Sequence, residues 1–440
     1  MVGITKMKAE KQKAEKGAFF CTTKELSRLG LEQIPTQFQS HKHLIYSSPA
    51  TLAFNSPGAE GFGVKRAGLA VPDSIMLIVA PGCCGRNTSL ISSMKEYNDR
   101  FYYLMMDETD IVTGRHLKKI PKAVEKICSV CPKKPSVVMI CITCVDALLG
   151  TDMERVCKKA EEQVEIPVRP CYMYALTREG RKPPMVHVRQ SLYSLLEPGK
   201  KKGNVVNLLG FFSPLVDDCE IYDLLHSAGV KTIHEISRCK DYMEYQTMSE
   251  ANFNLVLHHE ARFAAEDFHN RLQIPFIELR RLYQIDKIEN QYHALGNALG
   301  VAFYDEKYKK QAEDALEKFR QKCPDASFAI GECLNADPFE LSLALIRYGF
   351  SVPEIYGTIT VENFTYIRSL AKISPETKVF SNMEPTMIYY DPAKSDVNLA
   401  IGKDACYYHP DCPYVMWNGE EQPYGYAGVR RLFEQLLEVV

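Results

Sequence analysis

The sequence predicts an α/β protein made of three domains with parallel sheets. Short apolar strands alternate with amphipathic stretches along almost the whole chain, which is the pattern of βαβ units. The length of 440 residues exceeds what one hydrophobic core usually organises, and at about 150 residues per domain it favours three domains. The composition, 46% hydrophobic and 25% charged, is that of an ordinary globular protein.

The strands divide the chain into three series. An N-terminal tail and lead-in over residues 1–34 precedes the first domain, expected over 35–200. Its strands are the apolar runs at 75–82, 101–107, 136–143 and 168–175. A polar connection leads to the second domain, 204–305, whose strands include 205–212 and 274–279. The third domain, 306–440, starts its strands near 326–332 and closes with the helical pattern GVRRLFEQLLEVV.

Charge and targeting signals predict a cytoplasmic protein without nucleic-acid or membrane partners. The formal net charge of -2 gives no general electrostatic reason to bind nucleic acid or acidic lipid. The opening MVGITKMKAEKQKAEKG lacks the apolar segment of a signal peptide, and no apolar run approaches the roughly 20 residues of a membrane span. Without an export signal, the 15 cysteines favour reduced thiols over disulfides.

Three cysteines stand where predicted strands end. Cys83 and Cys84 follow the first apolar strand in the run SIMLIVAPGCCGRN, and Cys144 follows another in VVMICITCVDALLGTD. Ligands of open parallel sheets collect beyond the carboxyl ends of the strands, so these thiols can converge on one group. A site rich in thiolate favours iron–sulfur chemistry. Plain packing of adjacent cysteines remains the alternative interpretation.

Two other cysteine patterns have simpler explanations. The pairs Cys128/Cys131 and Cys141/Cys144 have a spacing similar to that of a zinc ribbon, but the second pair lies on a strongly β-forming strand, where its members point to opposite faces. Cys128, Cys131 and Cys141 are therefore expected to pack as small apolar residues. A later C-x2-H-x2-C segment is compatible with a metal site or with a proline-containing turn; it consists of Cys406, His409 and Cys412.

Two adjacent histidines are candidates for proton transfer or metal binding. His258 and His259 end the strand FNLVLHH of the second domain, and they are expected to face the region where the three domains meet. A structural histidine with satisfied hydrogen bonds is the alternative.

Taken together, these segments resemble the nitrogenase component 1 superfamily, from about residue 50 to the C-terminus. ITCVDALLGTDMERV is the most specific match, and APGCCGR resembles the segment in which a cluster cysteine follows a strand. NVVNLLGFF, ANFNLVLHHEARFAAEDFHNRLQIPFIEL and YGYAGVRRLFEQLLE resemble later segments of the family in the same order.

The resemblance implies three Rossmann-like domains around a central cavity. It also implies pairing with a homologous second subunit or with a copy of itself, as a dimer or tetramer, and electron delivery by an ATP-dependent iron protein. Cys144 and either Cys83 or Cys84 match two of the cysteines that hold an iron–sulfur cluster at the subunit interface. A 4Fe-4S cluster is the expected type. A second metallocluster in the cavity is the further possibility that the resemblance raises.

The chain departs from the family at other ligand positions. Ser56, Pro57 and Gly58 stand where the third interface cysteine is expected. His258 replaces the cysteine that holds the active-site cofactor of molybdenum nitrogenase, and Val415–Asn418 replace the segment with its histidine. These departures argue against dinitrogen reduction.

Three functions are therefore compatible with the sequence. The first is a subunit of a nitrogenase-like oxidoreductase, an iron–sulfur-dependent reductase in which His258 and His259 serve catalysis. The second is a scaffold for assembling a complex iron–sulfur cofactor. The third is a non-redox three-domain α/β binding protein or glycosyltransferase-like enzyme.

Overall fold

The computed structural model describes residues 17–40, 48–54, 63–82, 97, 99–173 and 182–440. Cys83, Cys84 and the segment Ser56–Gly58 lie outside these residues. Within the described residues the strands form three sheets, and all strand pairs but one are parallel. The α/β fold class is thereby confirmed.

The first described residues belong to the sheet of the C-terminal region. Strand β1 (Phe20–Thr22) runs antiparallel to a strand at 378–380, although it lies in the predicted N-terminal lead-in. Helix α1 (Thr23–Leu29) begins at a capping box, in which Thr22 Oγ1 accepts from the Glu25 backbone N–H while the Glu25 carboxylate accepts from the Thr22 N–H. Helix α2 (Pro49–Phe54) follows.

The first four-stranded sheet has the order β3-β2-β4-β5. Its strands are β2 (Ile75–Ala80), β3 (Phe101–Met105), β4 (Val138–Ile142) and β5 (Val168–Tyr172). Its helices are α3 (Val64–Ala67), α4 (Glu108–Thr113), α5 (His116–Val130), α6 (Cys144–Leu149), α7 (Met153–Val164) and α8 (Pro184–Tyr193). Every residue of β2 and β4 is buried, because helices cover both faces of a parallel sheet.

The second four-stranded sheet has the order β7-β6-β8-β9. Its strands are β6 (Val205–Leu209), β7 (Thr232–His234), β8 (Phe253–Val256) and β9 (Phe276–Glu278). Its helices are α9 (Glu220–Ser227), α10 (Tyr242–Gln246), α11 (Arg262–Leu272) and α12 (Ile285–Leu299).

The third sheet has six strands in the order β1-β12-β11-β10-β13-β14. Its remaining strands are β10 (Ser327–Ile330), β11 (Ser351–Tyr356), β12 (Lys378–Phe380), β13 (Leu399–Ile401) and β14 (Tyr414–Val415). Its helices are α13 (Glu306–Lys322), α14 (Pro338–Arg347), α15 (Phe364–Ile373), α16 (Lys403–Tyr408) and α17 (Gly425–Val439).

The hydrophobic cores join the three sheets. One cluster of buried residues extends from Met76 and Ile78 of the first sheet to Val256 of the second, and another joins Leu208 of the second to Phe328 of the third. Shared cores of this kind fix the strand ends of one sheet relative to those of the next. Over the described residues, no helix combines the length and the apolar character needed to cross a membrane.

Candidate functional site

The first candidate region is the edge of the first sheet where β2 and β4 end. The two strands are parallel neighbours, with Val79 paired to Ile142. Strand β2 leads through Pro81 and Gly82 toward Cys83 and Cys84, which lie outside the described residues. Strand β4 leads through Thr143 to Cys144, the first residue of α6. The described ends of β2 and β4 therefore lie side by side at one edge of the sheet, and the side chains of the three cysteines are not described.

Polar side chains are buried at this same edge. The Asp146 carboxylate contacts His116 Nε2 through Oδ1 at 2.8 Å and accepts a hydrogen bond from Thr151 Oγ1 at 3.0 Å. Its Oδ2 atom and the Thr143 hydroxyl are buried without a hydrogen-bond partner among the described residues. Buried polar atoms normally have hydrogen-bond partners. Two such atoms without partners, next to Cys144 in the chain, are what we expect where a further polar or charged group binds.

Exposed apolar side chains lie near the ends of β2 and β4. Met105, at the end of β3, is 63% exposed and lies beside Gly82, while Leu148 and Leu149 of α6 are 63% and 50% exposed. Adjacent exposed apolar side chains are typical of surfaces that contact another protein. We call Met105, Leu148 and Leu149 the apolar rim.

The second candidate region is a cavity of about 470 Å³ between the second and third sheets, closed on one side by α8. Its described lining comes mainly from loops that follow parallel strands, the usual position of ligand sites in α/β proteins. The lining is rich in charge and contains both histidines singled out from the sequence. Its charged residues are Arg189, Arg262, Arg280, Arg281, Glu260, Glu278, Glu332, Asp337 and Glu362.

His258 follows β8 and points into the cavity. Its ring stacks on that of His259 at 4.5 Å and lies edge-on to Phe211 at 5.7 Å. Gly210 makes this placement possible, because a Cβ atom there would lie 2.8 Å from the His258 backbone nitrogen. Burial, followed by the nearby positive charges of Arg189, His259 and Arg281, holds the pKa of His258 well below its usual value. The imidazole is therefore neutral, the form that binds metals and accepts hydrogen bonds.

Two of the arginines in the cavity are neutralised by carboxylates. Arg189 pairs with Glu260 at 2.7 Å and also donates to the Gly210 carbonyl. Arg262 forms a bidentate pair with Glu278, with bonds of 2.9 and 2.7 Å. These two pairs make a rigid wall of little net charge.

Arg281, like the more exposed Arg280, differs from these two because it makes no ion pair with a carboxylate among the described residues. Its Nη2 atom donates to the side-chain oxygen of Gln422 at 2.6 Å, and its guanidinium lies 4.3 Å from the centre of the Phe211 ring. Burial lowers its pKa from the usual value of an arginine.

The opposite wall carries two partly buried carboxylates held by hydrogen-bond donors. Glu332 accepts from the backbone N–H of Thr358 at 2.9 Å and from its hydroxyl at 2.6 Å. Asp337 caps helix α14 by accepting from two of its backbone N–H groups at 2.9 and 3.0 Å. Burial raises the pKa of both groups, so each holds a proton to a higher pH than an exposed carboxyl.

Neither Arg281 nor Glu332 was singled out from the sequence. Both follow strands, but a charged residue in a loop has the same local pattern whether it faces solvent or a cavity. Their positions after β9 and β10 were the one available signal, since ligands collect at such strand ends.

The remaining cysteine patterns are explained by packing. Cys141 is fully buried in β4, and the prediction that it packs as an apolar residue is confirmed. In the C-x2-H-x2-C segment, His409 contacts Glu354 at 3.1 Å while Cys406 and Cys412 face separate backbone carbonyls. Among the described residues, no group of three or more histidine, cysteine or acidic side chains is arranged to hold a metal ion.

The segment 415–418 supplies no imidazole to the cavity. Trp417 of this segment is buried, and its indole N–H donates to the Tyr283 hydroxyl at 2.6 Å. Tyr283 in turn donates to the Asn335 carbonyl. Where the resemblance expects a cofactor ligand, the chain thus has an aromatic contact between two loops.

Comparisons with known proteins all indicate the same family. Residues 60–440 match the nitrogenase component 1 type oxidoreductases. The chain is 25% identical over 418 residues to the nitrogenase iron-molybdenum cofactor biosynthesis protein NifE of Sinorhizobium fredii, covering 89% of this chain and 82% of that protein. It is 25% identical over 284 residues to the protein of the same name from a Nostoc species, covering 61% and 58% of the two chains.

Solved structures agree in fold. The structure of nitrogenase Cp1 at pH 6.5 superposes with a TM-score of 0.69 at 19% identity, over 86% of this chain and 90% of that one. Nitrogenase Cp1 at pH 5 gives a TM-score of 0.60 at 16% identity, over 86% and 87%. At this level of identity the likeness concerns the fold alone.

Proposed function

The chain belongs to the nitrogenase component 1 type oxidoreductase family, and on that premise we propose that it is a scaffold on which a complex iron–sulfur cofactor is assembled and then handed on. The names of its relatives, cofactor biosynthesis proteins, support this function over the reductase that the sequence favoured first. The cofactor under assembly is the cargo of the scaffold.

One observation carries the proposal. The described lining of the cavity offers imidazole, guanidinium and carboxylate groups but no thiolate. A resident redox cofactor is usually tied down by strong metal–thiolate bonds, whereas a cargo that must leave is better held by hydrogen bonds, charge and an exchangeable ligand. A cavity of about 470 Å³ is within the range of ordinary ligand sites.

The residues of the cavity have separate roles in this proposal. Neutral His258 is the exchangeable contact to a metal of the cargo, and His259 supports its ring by stacking. The Arg189–Glu260 pair fixes the loop that carries both histidines, because Arg189 also holds the Gly210 carbonyl beneath His258.

We further propose a resident iron–sulfur cluster at the edge of the first sheet. Cys144 and one or both of Cys83 and Cys84 would hold it, with the unpaired polar atoms of Thr143 and Asp146 nearby. A cluster of that kind supplies electron transfer, and 4Fe-4S remains the proposed type.

The partners follow from the position of this edge. The apolar rim suits burial against a homologous second subunit or a second copy of this chain, in a dimer or tetramer. An ATP-dependent iron protein is the proposed electron donor. We retain a cytoplasmic location without nucleic-acid or membrane partners as a proposal.

A nitrogenase-like reductase is the second candidate, and Glu332 favours it. Its carboxyl lines the cavity, and burial together with the nearby Asp404 raises its pKa. A carboxyl that keeps its proton beside a reducible group can act as a proton donor.

Transfer of the cargo tests the scaffold function. The chain would be produced anaerobically in cells that make iron–sulfur cofactors, purified with any bound subunit, and mixed with cofactor-free nitrogenase component 1. The scaffold proposal expects activity to appear in the recipient as iron leaves the donor. Oxidation of the reductant that depends on the iron protein and ATP, without any transfer, would favour the reductase instead.

A further inference from the structure

Two cysteines at the end of α5 lie outside both candidate regions. We propose that Cys128 and Cys131 are a reversible modification site, at which a low-molecular-weight disulfide such as oxidised glutathione converts the two thiols into one disulfide bond. This site does not depend on the proposed function, since neither cysteine belongs to the cavity or to the cysteine edge.

The helical path of α5 brings the two residues to the spacing that a disulfide needs. Cys128 lies in the last turn of the helix, and the backbone N–H of Cys131 donates to the Ile127 carbonyl at 3.0 Å, so the helical path continues as far as Cys131. Residues three apart on an α-helix lie on one face, with their Cα atoms about 5 Å apart. Disulfides join Cα atoms separated by about 4.4 to 6.8 Å.

Both cysteines can be reached from solvent. They pack against the core of the first sheet but are only partly buried. Ser129 and Val130 between them and Pro132 after them are exposed. A small disulfide can therefore approach the sulfurs without unfolding of the sheet.

A second pair of neighbouring cysteines lacks this access. Cys141 and Cys171 are paired across β4 and β5, and both are fully buried. Burial raises the pKa of Cys171 well above its usual value, which disfavours the reactive thiolate. These two cysteines are expected to stay reduced as long as the protein is folded.

A tyrosine hydroxyl distinguishes the two sulfurs of the proposed site. The Tyr102 hydroxyl of β3 lies 3.1 Å from Cys131 Sγ. This contact, together with burial, raises the pKa of Tyr102 to about 12, so the hydroxyl keeps its proton and can donate to the sulfur in its thiolate form. Burial raises the pKa of Cys128. Cys131 is therefore the attacking sulfur, and Cys128 completes the reaction.

The reaction is two successive thiol–disulfide exchanges. The Cys131 thiolate attacks one sulfur of the small disulfide, whose S–S bond breaks, and the first small thiol leaves with the proton that Cys131 has lost. Cys128 then attacks the Cys131 sulfur, the mixed S–S bond breaks, and the second small thiol leaves with the proton of Cys128. Two cysteine thiols are oxidised, and one small disulfide is reduced to two thiols.

Mass spectrometry of the whole protein tests the site. Anaerobically purified protein would be equilibrated with reduced and oxidised glutathione at several ratios, and the remaining thiols would be alkylated in denaturant. Trypsin cuts after Lys126 and Lys133, so the peptide 127–133 contains these two cysteines and no other. We expect this peptide to change from the doubly alkylated to the disulfide form as the share of oxidised glutathione rises, and dithiothreitol to reverse the change. Cys141 and Cys171 should stay alkylated throughout.

Three variants separate the roles of the residues. Cys128→Ser should accumulate glutathione on Cys131, because the second exchange is missing. Cys131→Ser should take up glutathione at least about tenfold more slowly than Cys128→Ser, and Tyr102→Phe should slow disulfide formation at least about threefold, since the thiolate loses its hydrogen-bond donor.

Cys323→Ser is the matched control. Cys323 is also partly buried and ends α13, with its backbone N–H donating to the Phe319 carbonyl, but it has Arg320 in place of a second cysteine. Its loss should leave the peptide 127–133 unchanged. The proposal is overturned if this peptide stays doubly alkylated at every ratio, if Cys128→Ser carries no glutathione on Cys131, or if the disulfide forms only when Cys141 and Cys171 also react.

Discussion

At the scale of single residues, a buried carboxylate fixes the position of a loop that lines the cavity. Glu340 lies behind the loop that carries Arg280 and Arg281, and it accepts hydrogen bonds from the backbone N–H groups of Tyr283 and Gln284. Its side chain is buried, and it joins the second and third sheets without touching solvent. The position of the Arg281 guanidinium therefore depends on a group that is itself sensitive to pH.

We expect Glu340 to make stability depend on pH. Burial raises its pKa to about 7 from an ordinary value of 4.5, so between these limits the folded protein keeps a proton that the unfolded chain has lost. Unfolding then releases a proton, and rising pH destabilises the fold by on the order of 3 kcal/mol across this window, with no further change above it.

Denaturant unfolding of the wild type and Glu340→Gln from pH 5 to 8 measures this effect. The free energy of unfolding of the wild type should fall relative to that of the variant up to about pH 7. A constant difference between the two proteins over this range would contradict the assignment.

At the residue scale, the sequence predicted the positions of residues that come at or just after the end of a strand. The sequence placed Cys144 after a strand and His258 at the end of one, and in the structure both follow a strand by two residues. It did not identify Arg281, because only the fold shows that Arg262 has Glu278 as its partner while Arg281 has no carboxylate partner among the residues that the structure describes. Such pairing depends on contacts between segments that local patterns do not reveal.

At the scale of elements, the closing helix α17 depends on one buried carboxylate. Glu220, at the start of α9, accepts from the backbone N–H groups of Tyr426 and Ala427 at 2.6 and 3.0 Å and from the Tyr292 hydroxyl at 2.6 Å. The bonds from Tyr426 and Ala427 satisfy two of the free N–H groups at the beginning of α17. Gly425 has a φ of +57°, and a Cβ atom there would lie 1.8 Å from the Glu220 carboxylate.

Gly425→Ala should therefore destabilise the protein strongly. The left-handed conformation and the overlap with Glu220 add together, and we expect the free energy of unfolding to fall by about 3 kcal/mol or more. Gly300→Ala is the control, because Gly300 has a φ of +70° with no atom within 4 Å of the added methyl group, and about 1 kcal/mol is expected. Chemical denaturation checks both values, and equal losses would refute the role assigned to Glu220.

The elements themselves were largely predictable from sequence. The apolar runs at 75–82 and 205–212 became β2 and β6, and GVRRLFEQLLEVV forms most of α17, because strand length and helical periodicity are local properties. Strand β1 was missed. Its pairing with β12 joins residues that are more than 350 positions apart, and a three-residue strand has too little pattern to be recognised.

At the scale of the whole molecule, the exposed apolar rim predicts that the chain associates with a second subunit or with a second copy of itself. Charge placed on it should prevent association with the second subunit or copy, because a buried unpaired carboxylate is strongly disfavoured. Leu148→Glu should reduce the mass measured by light scattering to that of one chain. Met243→Glu, at a position 74% exposed on α10, should leave the mass unchanged. An unaltered assembly in Leu148→Glu would place the interface elsewhere.

The central claim is that this chain carries a cluster bound by cysteines and, separately, a cargo in the cavity. The most direct test is the iron and acid-labile sulfide content of anaerobically purified wild type, Cys144→Ala and His258→Ala, with electron paramagnetic resonance after reduction. We predict two pools of iron in the wild type, of which Cys144→Ala loses one and His258→Ala the other. A wild-type protein free of iron, or one pool lost equally in both variants, would contradict the account.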